Sequence, residues 1–241
     1  MIIGRGMLAN KFADYEYDNN VVILASGVSN SKEVLQSEFD REERLIREVI
    51  HKYQDKIIVY FSTSSMYDPD SRSSVYTLNK LKFEQLIIKH VKKFYIFRLT
   101  QIIGRSNNNT LINFLINHIS NGQEFMIWKN VTRNLIALED VYNIINFIIK
   151  TQIMQNEVIN IANPNNISIL DIVKYVELVV QSIGNYNILD NGSPFDSVNV
   201  SKIKPIISRL AINFQDDDYY KNAIEKIYRA FAVKSTFIVN E

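Results

Sequence analysis

The stretch Met1-Ile-Ile-Gly4-Arg-Gly6-Met-Leu-Ala9, followed from Val21 by Val-Val-Ile-Leu-Ala-Ser26-Gly27, decides how the rest of the chain is read. A short apolar run ends in Gly4-x-Gly6-x-x-Ala9, the order of a strand, a tight turn and a helix start. Glycines there let the backbone approach a phosphate, and the helix N-terminus faces an anion. On this reading Gly4, Gly6 and Ala9, with Ser26 and Gly27 at the end of the next strand, are candidate cofactor contacts. Yet Val21 follows Ala9 by only about a dozen residues, whereas a strand–helix–strand unit takes about 30 or more. The second and third strands of a nucleotide-binding half are therefore expected to be missing, or reduced to a scrap such as Tyr15-Glu16-Tyr17. An acid about 20 residues past such a fingerprint normally meets ribose hydroxyls. Here that place falls inside Val-Val-Ile-Leu, and Asp14, Glu16 and Asp18 come earlier, as turn residues.

The 241 residues allow one large domain, or one domain with a small annex, and a proper core. A net charge of +1 gives no electrostatic case for nucleic acid or a membrane surface. The chain has no cysteine, so disulfides, thiolate catalysis and cysteine-bound metal are excluded. His51, His90 and His118 are too scattered to suggest a metal site. The apolar run Ile144 to Ile149 is too short to span a bilayer. The chain starts directly on a strand, so no leader peptide is expected and the cytoplasm is the expected compartment.

Outward from the first turn, apolar runs alternate with helical patterns. Helices are expected over about 32–53, 76–91, 110–119, 140–150 and 168–182. Strands are expected at Lys56-Ile-Ile-Val-Tyr-Phe-Ser-Thr63, Lys93-Phe-Tyr-Ile-Phe-Arg-Leu-Thr-Gln-Ile-Ile103, 124–129 and Val158-Ile-Asn-Ile-Ala-Asn163. Ser168 with Asp171 three residues on marks a helix start. Asn107-Asn108-Asn109 reads as a loop. Such alternation predicts an α/β fold, a doubly wound parallel sheet with helices on both faces and ligands at the carboxyl ends of the strands. The expected division is residues 1–184, including substrate-lobe segments from about 105–135, and a small C-terminal lobe over 185–241.

Chemistry is carried by Ser62-Thr63-Ser-Ser-Met-Tyr67 and then Tyr76-Thr-Leu-Asn-Lys80. Tyr76 and Lys80 are four apart on a helix and share a face. An ammonium beside a phenol favours phenolate and suits it to acid–base work. Thr63, at a strand end, is placed to polarise the same substrate oxygen. An exposed Tyr–Lys pair would give the same spacing. What distinguishes this one is order: glycine turn, Ala-Ser-Gly, Ser-Thr-Ser-Ser, then Tyr-x-x-x-Lys, each at a strand end or helix start.

In that order the chain resembles the extended short-chain dehydrogenase/reductases, the group of sugar-nucleotide epimerases, dehydratases and reductases. Ile-Ile-Gly-Arg-Gly-Met-Leu-Ala is similar to their glycine motif, and Val-Val-Ile-Leu-Ala-Ser-Gly to their Val-Ile-His-Leu-Ala-Ala strand. Phe-Arg-Leu-Thr-Gln101-Ile-Ile-Gly resembles Arg-x-x-Asn-Val-Tyr-Gly, with Gln101 where Asn is usual. Arg133-Asn-Leu-Ile-Ala-Leu-Glu-Asp-Val resembles Arg-Asp-Tyr-Ile-His-Val-Asp-Asp-Val. The resemblance implies a Rossmann-like sheet, NAD or NADP as cofactor and a nucleotide-sugar substrate. It makes Thr63, Tyr76 and Lys80 catalytic, with Lys80 also holding a ribose. Arg133 would meet the phosphates, with Gln101 and Trp128 in the substrate site; a surface arginine and a core tryptophan are the plainer readings. Asn113 and His118 lie on the intervening helix.

The resemblance further implies 4-keto reduction or epimerisation, and a homodimer through the helices over about 32–53 and 76–91. Ser64 and Ser65 stand where the 4,6-dehydratases carry adjacent acids, so dehydration is the least expected reaction. The missing strands leave open a member that binds no dinucleotide and acts as an isomerase or a nucleotide-sugar binder.

Overall fold

The computed structural model describes residues 1–105 and 110–237, so the Asn107–Asn109 run lies outside the described residues. The chain begins with β1 (Ile2–Ile3), α1 (Met7–Lys11) and β2 (Val21–Leu24). It continues through α2 (Gln36–Lys52), β3 (Ile57–Thr63), α3 (Val75–His90) and β4 (Phe94–Leu99). Next come β5 (Gln101–Ile103), α4 (Leu111–Ser120), β6 (Phe125–Trp128), β7 (Thr132–Arg133) and β8 (Leu135–Ala137). The remainder is α5 (Leu138–Thr151), β9 (Glu157–Ile161), β10 (Ile167–Ser168), α6 (Ile169–Val180), β11 (Tyr186–Leu189), α7 (Lys204–Arg209) and α8 (Tyr219–Phe237).

The main sheet has the order β1-β2-β3-β4-β9, all parallel. It is Rossmann-like and doubly wound, and β1 is its edge. Tyr15-Glu16-Tyr17 forms no strand: Ala13–Tyr15 is a single 3-10 turn, with Tyr15 buried in the core. β3 is buried at every position, as expected of a parallel strand covered on both faces. Alternate residues divide between two cores. Ile23, Val59, Phe61 and Phe97 face α5 and α7. Val22, Leu24, Ile58 and Tyr60 face α2 and α3.

The first connection takes the α5 side. The Phe12 ring packs tilted against Tyr142 at 5.1 Å between centres, Tyr15 hydroxyl donates to Asn146 at 2.7 Å, and Lys11 pairs with Glu139 at 2.5 Å. Every connection advances the same way along the sheet, yet this one crosses the face opposite α2 and α3. It is therefore opposite in hand to the two that follow, the rarer arrangement for such a unit. Gly4 makes the turn possible. Its φ is +142°, and a Cβ there would fall on the carbonyl oxygen of Ala25.

The expected strand over 93–103 is two strands. It breaks at Thr100, and β5 leaves the main sheet to pair in parallel with β8. That switch builds a second core from α4, β6, α6 and α8, where Ile112, Leu115, Ile127, Val173 and Ile224 meet. β6 pairs with β11, and β7 with β10. The segment from residue 185 divides its packing: Ile203, Ile206 and Phe214 join the main core, whereas α8 joins the second. α2 begins at Gln36, later than expected, after Val34 and Leu35 that stay exposed. Among the described residues no helix is long and apolar enough to cross a membrane.

Candidate functional site

Tyr76 and Lys80 lie one turn apart on the first half of α3, which Ser74 caps by accepting from the Thr77 amide. Both side chains face inward at the carboxyl edge of the sheet, and the Tyr76 ring centre is 5.9 Å from Lys80 Nζ. Among the described residues the Tyr76 hydroxyl has no hydrogen-bond partner. Lys80 does have a partner, and it was not expected. Its Nζ donates to Oε1 of Glu42 on α2 at 2.8 Å, and Tyr60 hydroxyl donates to the same oxygen at 2.8 Å. The Val28 amide donates to the other oxygen at 2.8 Å. Side-chain exposure is 5% for Lys80 and 1% for Glu42. Burial first, and then the Glu42 carboxylate, hold the Tyr60 phenol well above its ordinary value, so Tyr60 stays a donor.

Gly27 closes over this pair. A Cβ there would fall on Glu42 Oε1 and lie 3.0 Å from Lys80 Nζ. Glu42 stands between Phe39 and Ile46 on the inward stripe of α2, an acid among hydrocarbon positions. A second buried acid, Glu84, accepts from Ser62 at 2.5 Å and takes both arms of the Arg98 guanidinium at 2.9 and 2.6 Å. That hydrogen bond raises the Arg98 pKa further and ties β3, β4 and α3 together directly below the site.

Thr63 ends β3, and its hydroxyl lies 2.7 Å from that of Ser65 while accepting from the Ser65 amide at 3.0 Å. Of the first-loop candidates, Gly4 abuts Ala25 and Ser26, and Gly6 faces open space at the start of α1. Ala9 is buried at 4% exposure as part of the packing of α1. Arg133 reaches to 3.7 Å from Asp68 and donates to the Thr132 carbonyl. The segment 193–196 crosses nearby: Asp196 amide donates to the Tyr67 carbonyl, Phe195 amide to the Thr132 hydroxyl, and Arg72 pairs with Asp196 at 3.5 Å. Gln101 is exposed at the start of β5. Trp128 is half-exposed on β6 against Gly192. His118 bonds the Phe114 carbonyl within α4. The structure thus brings Gly27, Tyr76 and Lys80 into one cluster. Arg133 sits in a separate one with Asp68 and Thr132.

The family model for the NAD dependent epimerase/dehydratase family matches residues 10–162, well over half of the chain. The chain belongs to the NAD-dependent epimerase/dehydratase family. No curated protein matches its sequence. Among solved structures, this member is similar to UDP-N-acetylglucosamine 4-epimerase from Bacillus cereus, at 16% identity and a TM-score of 0.68, over 93% of this chain and 81% of that one. It is also similar to dTDP-glucose 4,6-dehydratase from Bacillus anthracis in complex with NAD, at 14% identity and 0.69, over 95% and 79%. UDP-glucuronic acid 4-epimerase from Bacillus cereus, in complex with UDP-glucuronic acid and NAD, matches at 19% and 0.64, over 91% and 79%. At these identities the likeness shows the shared fold.

NAD or NADP is the cofactor of this family. In this epimerase/dehydratase-family chain the family match begins after the Gly4-x-Gly6-x-x-Ala9 turn. Among the described residues no strand lies outside β1 to carry an adenosine-side acid, and the Lys80 ammonium is buried at 5% exposure and paired with Glu42. The residues present do not fit a dinucleotide held at both ends along the sheet edge.

Proposed function

We propose that this chain modifies a nucleotide-activated sugar, with Tyr76 as the group that moves a proton to or from a sugar oxygen. The observation that carries this reading is Tyr76 itself: an inward phenol at the carboxyl edge, one helical turn from Lys80, whose hydroxyl is bonded to no described residue. Thr63, at the neighbouring strand end, polarises the reacting carbonyl or hydroxyl through its own hydroxyl. Arg133 takes the diphosphate, for which a guanidinium fork is suited. Gln101 and Trp128 line the substrate side. The UDP-sugars and NAD named with the solved neighbours, and the family itself, support an NAD(P)-linked 4-keto reduction or epimerisation in the supply of sugars for polysaccharide synthesis. A second reading, cofactor-free isomerisation or plain nucleotide-sugar binding, is favoured by the Lys80–Glu42 contact.

The test is conversion of UDP-glucose, UDP-N-acetylglucosamine and 4-keto nucleotide sugars, with and without NADH or NADPH, followed by proton NMR. Tyr76→Phe is expected to lose conversion by about 100-fold or more while still binding the nucleotide sugar. Equal turnover by the two proteins would refute the role of Tyr76. A homodimer through α2 and α3 belongs to the same proposal, since Leu78 and Ile88 on α3 and Leu35 before α2 present exposed hydrocarbon. A monomer in light scattering at micromolar concentration would contradict it.

A further inference from the structure

We propose that Glu42 is a built-in counter-ion for Lys80: a positioning residue that closes the lysine to dinucleotides and leaves it to Tyr76 alone. This rests on the second, cofactor-free reading of the Tyr76–Lys80 site; an NAD(P)-linked conversion would contradict it. Three observations carry it. Both carboxylate oxygens are engaged, with Lys80 and Tyr60 donating to one and the Val28 amide to the other. A buried ion pair holds only when its remaining polar positions are satisfied in this way. The ammonium is surrounded as well, since the rings of Tyr60 and Tyr76 stand 5.2 and 5.9 Å from Nζ. Finally, the loop is fitted to the pair: Gly27 has no room for a side chain because the Glu42 carboxylate fills that space.

Glu42 takes one of the three N–H groups of Lys80, so a ligand would have to reach the others on an ammonium only 5% exposed between the rings of Tyr60 and Tyr76, or strip it from Glu42. A ribose diol that displaced Glu42 is neutral, so it would replace the hydrogen bond but not the charge, and the carboxylate would be left buried and unpaired. Lys80 is thus part of the scaffold around Tyr76, not a hand extended to a cofactor. The same pair accounts for a fold that dispenses with the strands beyond β1: if the lysine end of a dinucleotide is not held, nothing is lost with the adenosine end.

Protein carrying 15N at the lysine side-chain nitrogens tests this by NMR. A buried, bonded ammonium exchanges slowly and gives a protected signal, which Lys80→Met identifies by its loss. The expected result is that millimolar NADH or NADPH leaves this signal unmoved, and that Glu42→Gln abolishes its protection. A signal that shifts with either dinucleotide, or that stays protected in Glu42→Gln, would overturn the proposal. If a single variant fails to fold, the double variant Glu42→Gln with Lys80→Met leaves no buried net charge. It is expected to melt higher than either single variant and, like wild type, to show no saturable calorimetric binding of NADH. Binding by wild type that the double variant loses would overturn the proposal too. Tyr76→Phe separates the two claims: it should abolish conversion and leave the Lys80 signal in place. Retained conversion would sink the role of Tyr76 without touching Glu42.

Discussion

At position 42 the inward stripe of α2 carries a carboxylate between Phe39 and Ile46, and the site is organised around that one departure. Its partners come from β3, α3 and the loop after β2. A helical stripe read for hydrocarbon alone passes over it, because the spacing that places an acid inward becomes informative only when a cation is known to face it. That Tyr76 and Lys80 share one helix face was legible from their spacing; Glu42 and Glu84 needed the third dimension. Gly27→Ala puts a methyl group on the Glu42 carboxylate, and a loss of about 1–3 kcal/mol in denaturant unfolding is expected from the forced loop movement. Asn134 is a second residue of this kind. Its amide donates to the carbonyls of Asn163 and Asn165 and accepts from the Asn163 amide, all near 3 Å and largely buried. Asn134→Ala leaves those groups unpaired and should cost about 1–3 kcal/mol, read from the shift of the urea midpoint.

Elements with strong local chemistry were read correctly from the chain. Ser168 caps α6 by accepting from the Asp171 amide at 3.1 Å, while its hydroxyl donates to the Asp171 carboxylate at 2.6 Å. Ser168→Ala is expected to lower stability by about 1 kcal/mol, and circular dichroism during thermal unfolding checks it. The 93–103 run shows why other boundaries were not legible. Apolar residues continue through Thr100, but the backbone leaves one sheet there for another, and β5 follows its partner β8 into the second core. Composition does not record which strand a segment will pair with. The face chosen by the first connection was equally hidden. It is decided by Phe12 and Tyr15 packing against Phe61, Tyr142 and Asn146, residues far along the chain.

Across the whole molecule, burial is the first cause that raises the phenols of Tyr15, Tyr60, Tyr95 and Tyr219, and lifts Tyr220 to about 12. A raised phenol keeps its proton in the folded state after the unfolded chain has released it. Stability from these groups is therefore complete below about pH 10 and is lost as pH rises above it. Urea midpoints measured from pH 8 to 11.5 should hold level and then fall; a midpoint that stays level to pH 11.5 would contradict the burial of these rings. At this scale the absence of two strands was legible from chain length alone, because about a dozen residues cannot build two more strand–helix units. What length could not say is that Lys80 is paired from within, with Glu42. The central proposal is that Tyr76 moves the proton while Lys80, paired with Glu42, is withdrawn from the cofactor. Calorimetric titration of the wild-type protein with NADH and NADPH, after removal of any nucleotide carried through purification, tests it most directly. The account predicts no saturable binding up to millimolar concentration; saturable binding of either dinucleotide, lost in Lys80→Met, would contradict it.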